Sequence, residues 1–163
     1  MKNKSLCAIA APLIAGLALS LNVTTASAAD KTSIVVGADT TFPPFETEVN
    51  GKVTGFDIDM IRAIAKAEGL TLTIKTLPFS GLIPSLQAGS IDAAVAGITI
   101  KTSRMQSVDF SDAYYKSGLS VLVKKDSKIT GFGDLKGHVV ATKKATSSVD
   151  YMTAHGIDPQ YIK

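Results

Sequence analysis

The sequence predicts an α/β fold built on a mostly parallel sheet. Two observations carry this expectation. Short β-branched runs alternate with segments whose apolar residues recur every three or four positions, the pattern of βαβ units. In addition, the run from Ala93 to Ile98 is apolar without alternation, as a strand covered on both faces should be.

The elements follow in chain order. Ser33 to Ala38 reads as a first strand. It ends in Asp39-Thr40-Thr41-Phe42-Pro43-Pro44-Phe45, where two prolines remove ladder donors and turn the chain into a loop. That loop sets an acid and two phenylalanines just past a strand end. They suit a ligand wall, and equally an Asx turn followed by core aromatics. Asn50-Gly51 is a hairpin signal. A helix follows, with Asp57 as N-cap, Ile58, Ile61, Ile64 and Ala65 on one face and Gly69 at C′. Asp57 and Asp59 suit the positive end of that helix better than a metal site or an acid/base dyad.

Leu70 to Leu77 alternates as a half-buried strand. Next comes a short helix capped by Ser80 and stopped by Gly89, with Pro84 near its first turn. Phe79 is a third aromatic placed beyond a strand end. Ile91-Asp92 opens the central strand, and Leu119 to Val123 and His138 to Thr142 read as further strands. Between those two, Thr130 to Gly137 is a turn around one short helical piece. A last helix is expected from Ser147 to His155, ended by Gly156.

In open α/β sheets ligands collect outside the carboxyl ends of strands. At the end of the central strand, Gly97 allows close backbone approach. Arg104 offers a permanent charge in a planar fork suited to a carboxylate; surface pairing with Asp109 or Asp112 is its other reading. Thr146 and Ser147 open the last helix, either as caps or as an anion site. His138 and His155 stand too far from other ligating residues to suggest a metal or a catalytic base.

Composition bounds the function. Lys2 and Lys4, the apolar run Leu6 to Leu21, and Ala26-Ser27-Ala28 mark residues 1–28 as a cleaved signal peptide. Cys7 lies too early in that run to be a lipid-attachment site. It is also the one cysteine of the 163 residues, so the remaining chain is expected to make no disulfide. Without Lys2 and Lys4 the formal charge of +3 falls to +1, which excludes a nucleic-acid footprint. The expected product is an exported, periplasmic protein.

Five motifs stand in order: Asp39-x-x-Phe42-x-x-Phe45, Gly55-Phe56-Asp57-Ile58-Asp59, Phe79-Ser80-Gly81-Leu82-Ile83-Pro84, Ala96-Gly97-Ile98-Thr99 with Arg104, and Asp109-Phe110-Ser111-Asp112-x-Tyr114-Tyr115. Together they resemble the polar amino-acid-binding proteins of ABC importers, solute-binding protein family 3, and are most similar to periplasmic glutamine-binding proteins. The resemblance implies a type II periplasmic-binding-protein fold, two lobes that close about a hinge. Lobe 1 would span residues 29–113, the hinge crossing 114–118 and the beginning of lobe 2 residues 119–163, the second lobe being incomplete because the chain is C-terminally truncated relative to the family.

By the same resemblance, Arg104 would hold the α-carboxylate of an amino acid, with Gly97 and Thr99 around its α-amino and carboxyl groups. Phe42 and Phe79 would sandwich the stem and Asp39 would meet the far end, while Lys143, Thr146 and Ser147 approach from lobe 2. The implied protein is a monomeric receptor without cofactor or catalytic residues, serving an ABC transporter permease. A cyclohexadienyl or arogenate dehydratase-like enzyme, or a sensor ectodomain, are the alternatives on this fold, and the fragment itself could be inactive. One departure is local: the family's glycine-containing turn reads Lys144-Ala145-Thr146-Ser147-Ser148 here.

Overall fold

The computed structural model describes residues 32–162; the expected signal segment 1–28, with Cys7, lies outside them. In chain order come β1 (Ser33–Ala38), β2 (Thr41–Phe42), β3 (Glu46–Val49), β4 (Lys52–Thr54), α1 (Phe56–Ala67), β5 (Thr71–Thr76), α2 (Phe79–Gln87), β6 (Ala93–Val95), α3 (Thr102–Met105), β7 (Val140–Lys143), α4 (Ser147–Ala154) and β8 (Pro159–Ile162). A single 3-10 turn covers Phe132–Leu135.

The β-branched run of β1 pairs in parallel with β5 on one side and β6 on the other, giving the order β5-β1-β6. Successive side chains of a strand point to opposite faces, and β1 is covered on both. Val36 and Ala38 pack with Ile58 of α1 and Val95. On the opposite face Val35 joins Leu82 of α2 and Ile91. Gly37 lies on that face too, where an added Cβ would stand 2.7 Å from Ile91 Cδ1 and 3.0 Å from Leu82 Cδ2. Ile58 and Leu82 are fully buried, a gain of about 1.5–3 kcal/mol for each side chain.

The loop after β1 builds a small antiparallel sheet, β2-β3-β4. Asn50 and Gly51, both at positive φ (51° and 74°), make its β3–β4 turn, as the Asn-Gly signal predicts. Gly55 then fixes how this sheet meets α1. Its φ is 130°, and a Cβ there would fall 2.2 Å from the Phe45 carbonyl oxygen. That closeness lets the Phe56 and Asp57 N–H groups donate to the Pro44 and Phe45 carbonyls at 3.1 and 3.0 Å.

Several local expectations are corrected. Gly55, and not Asp57, is the N-cap of α1, because the carbonyls of 44–45 already take the free N–H groups and release the Asp57 side chain inward. Pro78 replaces Ser80 as N-cap of α2, and Pro84 lies within that helix, past its first turn. Asp92 precedes β6, and its carboxylate accepts the Val35 N–H at 2.8 Å. The strand expected at Leu119–Val123 does not form. It pairs with no described strand, and an extended segment without a ladder partner has nowhere to put its backbone hydrogen bonds.

The third sheet is the parallel pair β7–β8, the latter unforeseen because Pro159 reads as a terminator. Leu135, Met152 and Ile157 form its core, with Val121, Ile129 and Val140 against them. Beside this cluster an open trough of about 780 Å³ runs along Leu119, Val121, Leu122 and Val140, and Leu122 is 99% exposed. No described helix is long and apolar enough to cross a membrane.

Two substitutions test this packing. Leu82→Ala should lower unfolding stability by about 2–5 kcal/mol through the cavity it leaves. Gly55→Ala should cost at least ~3 kcal/mol, combining a strained φ with backbone overlap. Chemical denaturation measures both, and a Gly55→Ala protein as stable as the parent would contradict the close approach of residues 44–45.

Candidate functional site

The polar groups gather where the apolar strands run out. Asp39 is the first residue past β1 and is only 5% exposed. Its Oδ1 accepts from the Thr41 N–H at 3.0 Å and the Thr41 hydroxyl at 2.6 Å. Its Oδ2 accepts from the Phe79 N–H at 2.8 Å and from Lys143 Nζ at 3.0 Å. Burial alone would raise its pKa, but the Thr41 hydroxyl, the Lys143 ammonium and the Thr41 N–H outweigh burial and hold the carboxyl below its ordinary range. Lys143 also donates to the Thr41 hydroxyl at 2.5 Å, so β7 reaches across to the loop after β1.

Arg104 sits on the one-turn helix α3 and is 7% exposed. Its guanidinium donates to the Thr99 carbonyl at 2.8 Å and to the Ala145 carbonyl at 2.7 Å, not to Asp109 or Asp112 as the surface-pair reading supposed. It lies 5.5 Å from the centre of the Phe79 ring, a cation–π distance. Burial pulls its pKa below the usual value, with Asp150 opposing. A cavity of about 160 Å³ adjoins it, bounded by Phe79, Ile98 and Ala145.

Phe42, 47% exposed, stacks on Phe45 at 5.3 Å and covers Gly97. An added Cβ at Gly97, whose φ is 52°, would lie 3.1 Å from the Phe42 ring. Glycine is therefore favoured there by conformation, and the Phe42 ring would have to shift to admit a Cβ. Thr146 is the N-cap of α4, yet its hydroxyl donates back to the Lys143 carbonyl at 2.8 Å. The Ser147 hydroxyl, at the first residue of the helix, is buried without a partner.

Behind the Gly97 turn lies a second acidic pair. Asp57 and Glu46 are both fully buried. Asp57 Oδ2 accepts from the Gly97 N–H at 3.0 Å and from the Tyr114 hydroxyl at 2.8 Å. Burial first, and then the Asp57 charge, push the Glu46 carboxyl up to about 9.

Of the nine residues singled out, Asp39, Phe42, Phe79, Gly97, Thr99, Arg104, Lys143, Thr146 and Ser147, contacts join Asp39, Phe79, Thr99, Arg104, Lys143 and Thr146 in one chain and Phe42 to Gly97, while Ser147 bonds none of the other eight through its side chain. Thr99 takes part through its carbonyl, and Thr146 through a contact that neither cap nor anion site foresaw. Sequence reasoning missed Thr41, Ala145, Glu46, Tyr114 and the Lys101–Asp150 ion pair between α3 and α4. An Asp-x-Thr turn could have signalled Thr41; nothing in the local sequence announces the others. Ala145 stands at φ 64° in the turn where the resemblance leads one to expect glycine, and its carbonyl still reaches Arg104. Among the described residues no three His, Cys, Asp or Glu side chains converge as a metal site requires.

Known proteins resemble this chain in sequence and in fold. Residues 34–156 match the model of the bacterial extracellular solute-binding proteins, family 3. The ABC transporter glutamine-binding protein GlnH of Bacillus subtilis (strain 168) is 42% identical over 132 residues, 77% of this chain and 48% of its own length. ABC transporter arginine-binding protein 1 of Escherichia coli (strain K12) is 38% identical over 128 residues, 78% of this chain and 51% of its own. Among solved structures, an ancestral arginine-binding protein bound to arginine superposes with a TM-score of 0.76 at 38% identity, covering 81% of this chain and 61% of that one. The chain therefore spans about half the length of these two curated relatives. Its α/β layers, mostly parallel, are those of a type II periplasmic binding protein, of which it covers a part. With the match running from β1 to the end of α4, the chain belongs to the bacterial extracellular solute-binding proteins, family 3.

Proposed function

We propose that this chain is the ligand-capturing portion of an exported receptor that binds a polar amino acid, glutamine above all, and hands it to an ABC transporter permease without catalysing a reaction. Residues 1–28 act as the export signal. Residues 29–113 and 119–163 belong to two lobes, with 114–118 crossing between them.

The observation that carries this reading is a buried guanidinium against the Phe79 ring and, on the N–H of that same residue, a carboxylate neutralised by Lys143. Two of Arg104's five donors are committed to carbonyls, which fixes the fork for an α-carboxylate. Phe79 beneath it and Phe42 over Gly97 supply apolar walls for an aliphatic stem. Asp39 already faces the Lys143 ammonium at 3.0 Å. A carboxylate so compensated offers a second cation little net attraction, whereas a neutral amide needs only hydrogen-bond partners. This favours glutamine over arginine or lysine.

Calorimetric titration tests it, with saturable glutamine binding expected and no binding of any amino acid fatal to the proposal. Arg104→Ala should weaken binding at least roughly a hundredfold, the value of a charge-assisted pair; loss of under tenfold would move the carboxylate site elsewhere. Lys143→Met should shift the preference from glutamine toward arginine by roughly tenfold or more, and an unchanged ratio would refute the role given to that lysine. Ala145→Gly should leave binding intact and stabilise the fold by about 1 kcal/mol, since glycine carries no penalty at positive φ.

A further inference from the structure

Glu46 and Asp57 stand apart from the cleft contacts, and their geometry poses a problem. The Phe56 and Asp57 N–H groups bond the Pro44 and Phe45 carbonyls, which brings the start of α1 against the start of β3 and the two carboxyl groups into the same interior. Asp57 Oδ2 serves Gly97 and Tyr114, but Asp57 Oδ1 and both Glu46 oxygens are buried without partners. Two ionised carboxylates cannot satisfy each other, because neither owns a donor. Nor does a free cation among the described residues compensate them. The charges that face Glu46 are Asp57, Asp39 and Lys143, and Lys143 is engaged by Asp39. Of the remaining charges on β3, β4 and α1's first turns, Glu48 and Lys52 are exposed, and Asp59 pairs with Arg62.

We propose that Glu46 is a carboxylic acid whose proton bridges to Asp57 Oδ1, and that this pair is a positioning device for ligand capture. It aims Asp57 Oδ2 at both the Gly97 turn and the Tyr114 hydroxyl. One proton converts an orphan oxygen of Glu46 into a donor and gives Asp57 Oδ1 its missing partner. Asp57 then joins the backbone under the Phe42 wall to the first residue of the proposed hinge crossing. Ring contacts reinforce the link, for Tyr115 meets Phe45 edge-on at 4.9 Å and Tyr114 stacks on Phe56 at 6.3 Å. The elevated Glu46 value and an upward shift at Tyr114, caused by burial and then by its hydrogen bond to Asp57, agree with one retained proton. The proton itself follows from burial and geometry; its consequence for binding rests on the amino-acid receptor reading.

The sign of the pH effect is fixed. A carboxyl raised from 4.5 to about 9 binds its proton in the folded state where the unfolded chain has lost it. Its stabilisation is complete below the unfolded value and is lost as pH rises through the folded one.

The chain has only three glutamates, Glu46, Glu48 and Glu68, so carbon-13 NMR of labelled glutamate side chains can follow each carboxyl. One carboxyl should titrate near 9 and vanish from the spectrum in Glu46→Gln; three carboxyls titrating in the ordinary acidic range would overturn the proposal. For ligand capture, Asp57→Asn, Tyr114→Phe and Glu46→Ala should each weaken glutamine binding roughly tenfold. Glu46→Gln, whose amide can donate as the acid does, should restore it. As pH approaches the Glu46 value the unaltered protein should also lose more affinity than Glu46→Gln, the ligand's own α-ammonium titrating alike for both. Glu46→Ala binding at full strength with an unchanged pH profile would overturn the positioning role. Failure of the unaltered protein to bind any amino acid would remove the receptor reading instead, and the NMR titration would still decide the proton.

Discussion

Coverage of β1 on both faces is the constraint from which the rest follows. Flanked by β5 and β6 and packed under α1 and α2, this strand can carry only apolar side chains until it leaves the sheet. Asp39 is the first position where polarity is affordable, and there the carboxylate finds the Thr41, Phe79 and Lys143 donors that an interior charge needs. The same limit acts on β6, whose apolar run ends at Gly97 and gives way to Thr99 and Arg104. Site and core are thus one arrangement seen at two heights along the same strands.

Three acids within this small region illustrate how surroundings assign charge. Asp39 is buried but meets four donors, and its carboxyl is lowered. Glu46 is buried as deeply and meets none among the described groups, so its carboxyl is raised. Asp57, beside Glu46, has one oxygen fully used and one not. Residue type and depth are the same in kind; the count of donors and the sign of the nearest charge separate the outcomes. Asp39, balanced by Lys143, thus stands past the end of β1, and the Glu46–Asp57 pair stands behind the Gly97 turn.

Much of the fold was legible in the residues. The first strand, the Asn50-Gly51 turn, Gly69 and Gly89 just past their helices and the last helix all follow from local chemistry, because hydrophobic period and glycine placement act over a few residues. The strand at Leu119–Val123 was misread for the opposite reason: its composition suits a strand, but a strand also needs a neighbour, and no short window of sequence supplies one. The nine candidate residues were named by resemblance, six of them within the ordered motifs, whereas the contacts among them were not foreseen.

The sequence by itself determined the periodicities, the apolar strands that exclude charge from their span, and the polar residues that must therefore cluster at strand ends. Only the tertiary structure decided that Asp57 turns inward to Gly97 and Tyr114 instead of capping α1, that Arg104 is held by two carbonyls, and that Lys143 meets Asp39 across 104 residues of chain. The physical reason is that the energy of a charged group depends on its donors, acceptors and burial, and these are contributed by segments far apart in the chain that share a neighbourhood only after folding.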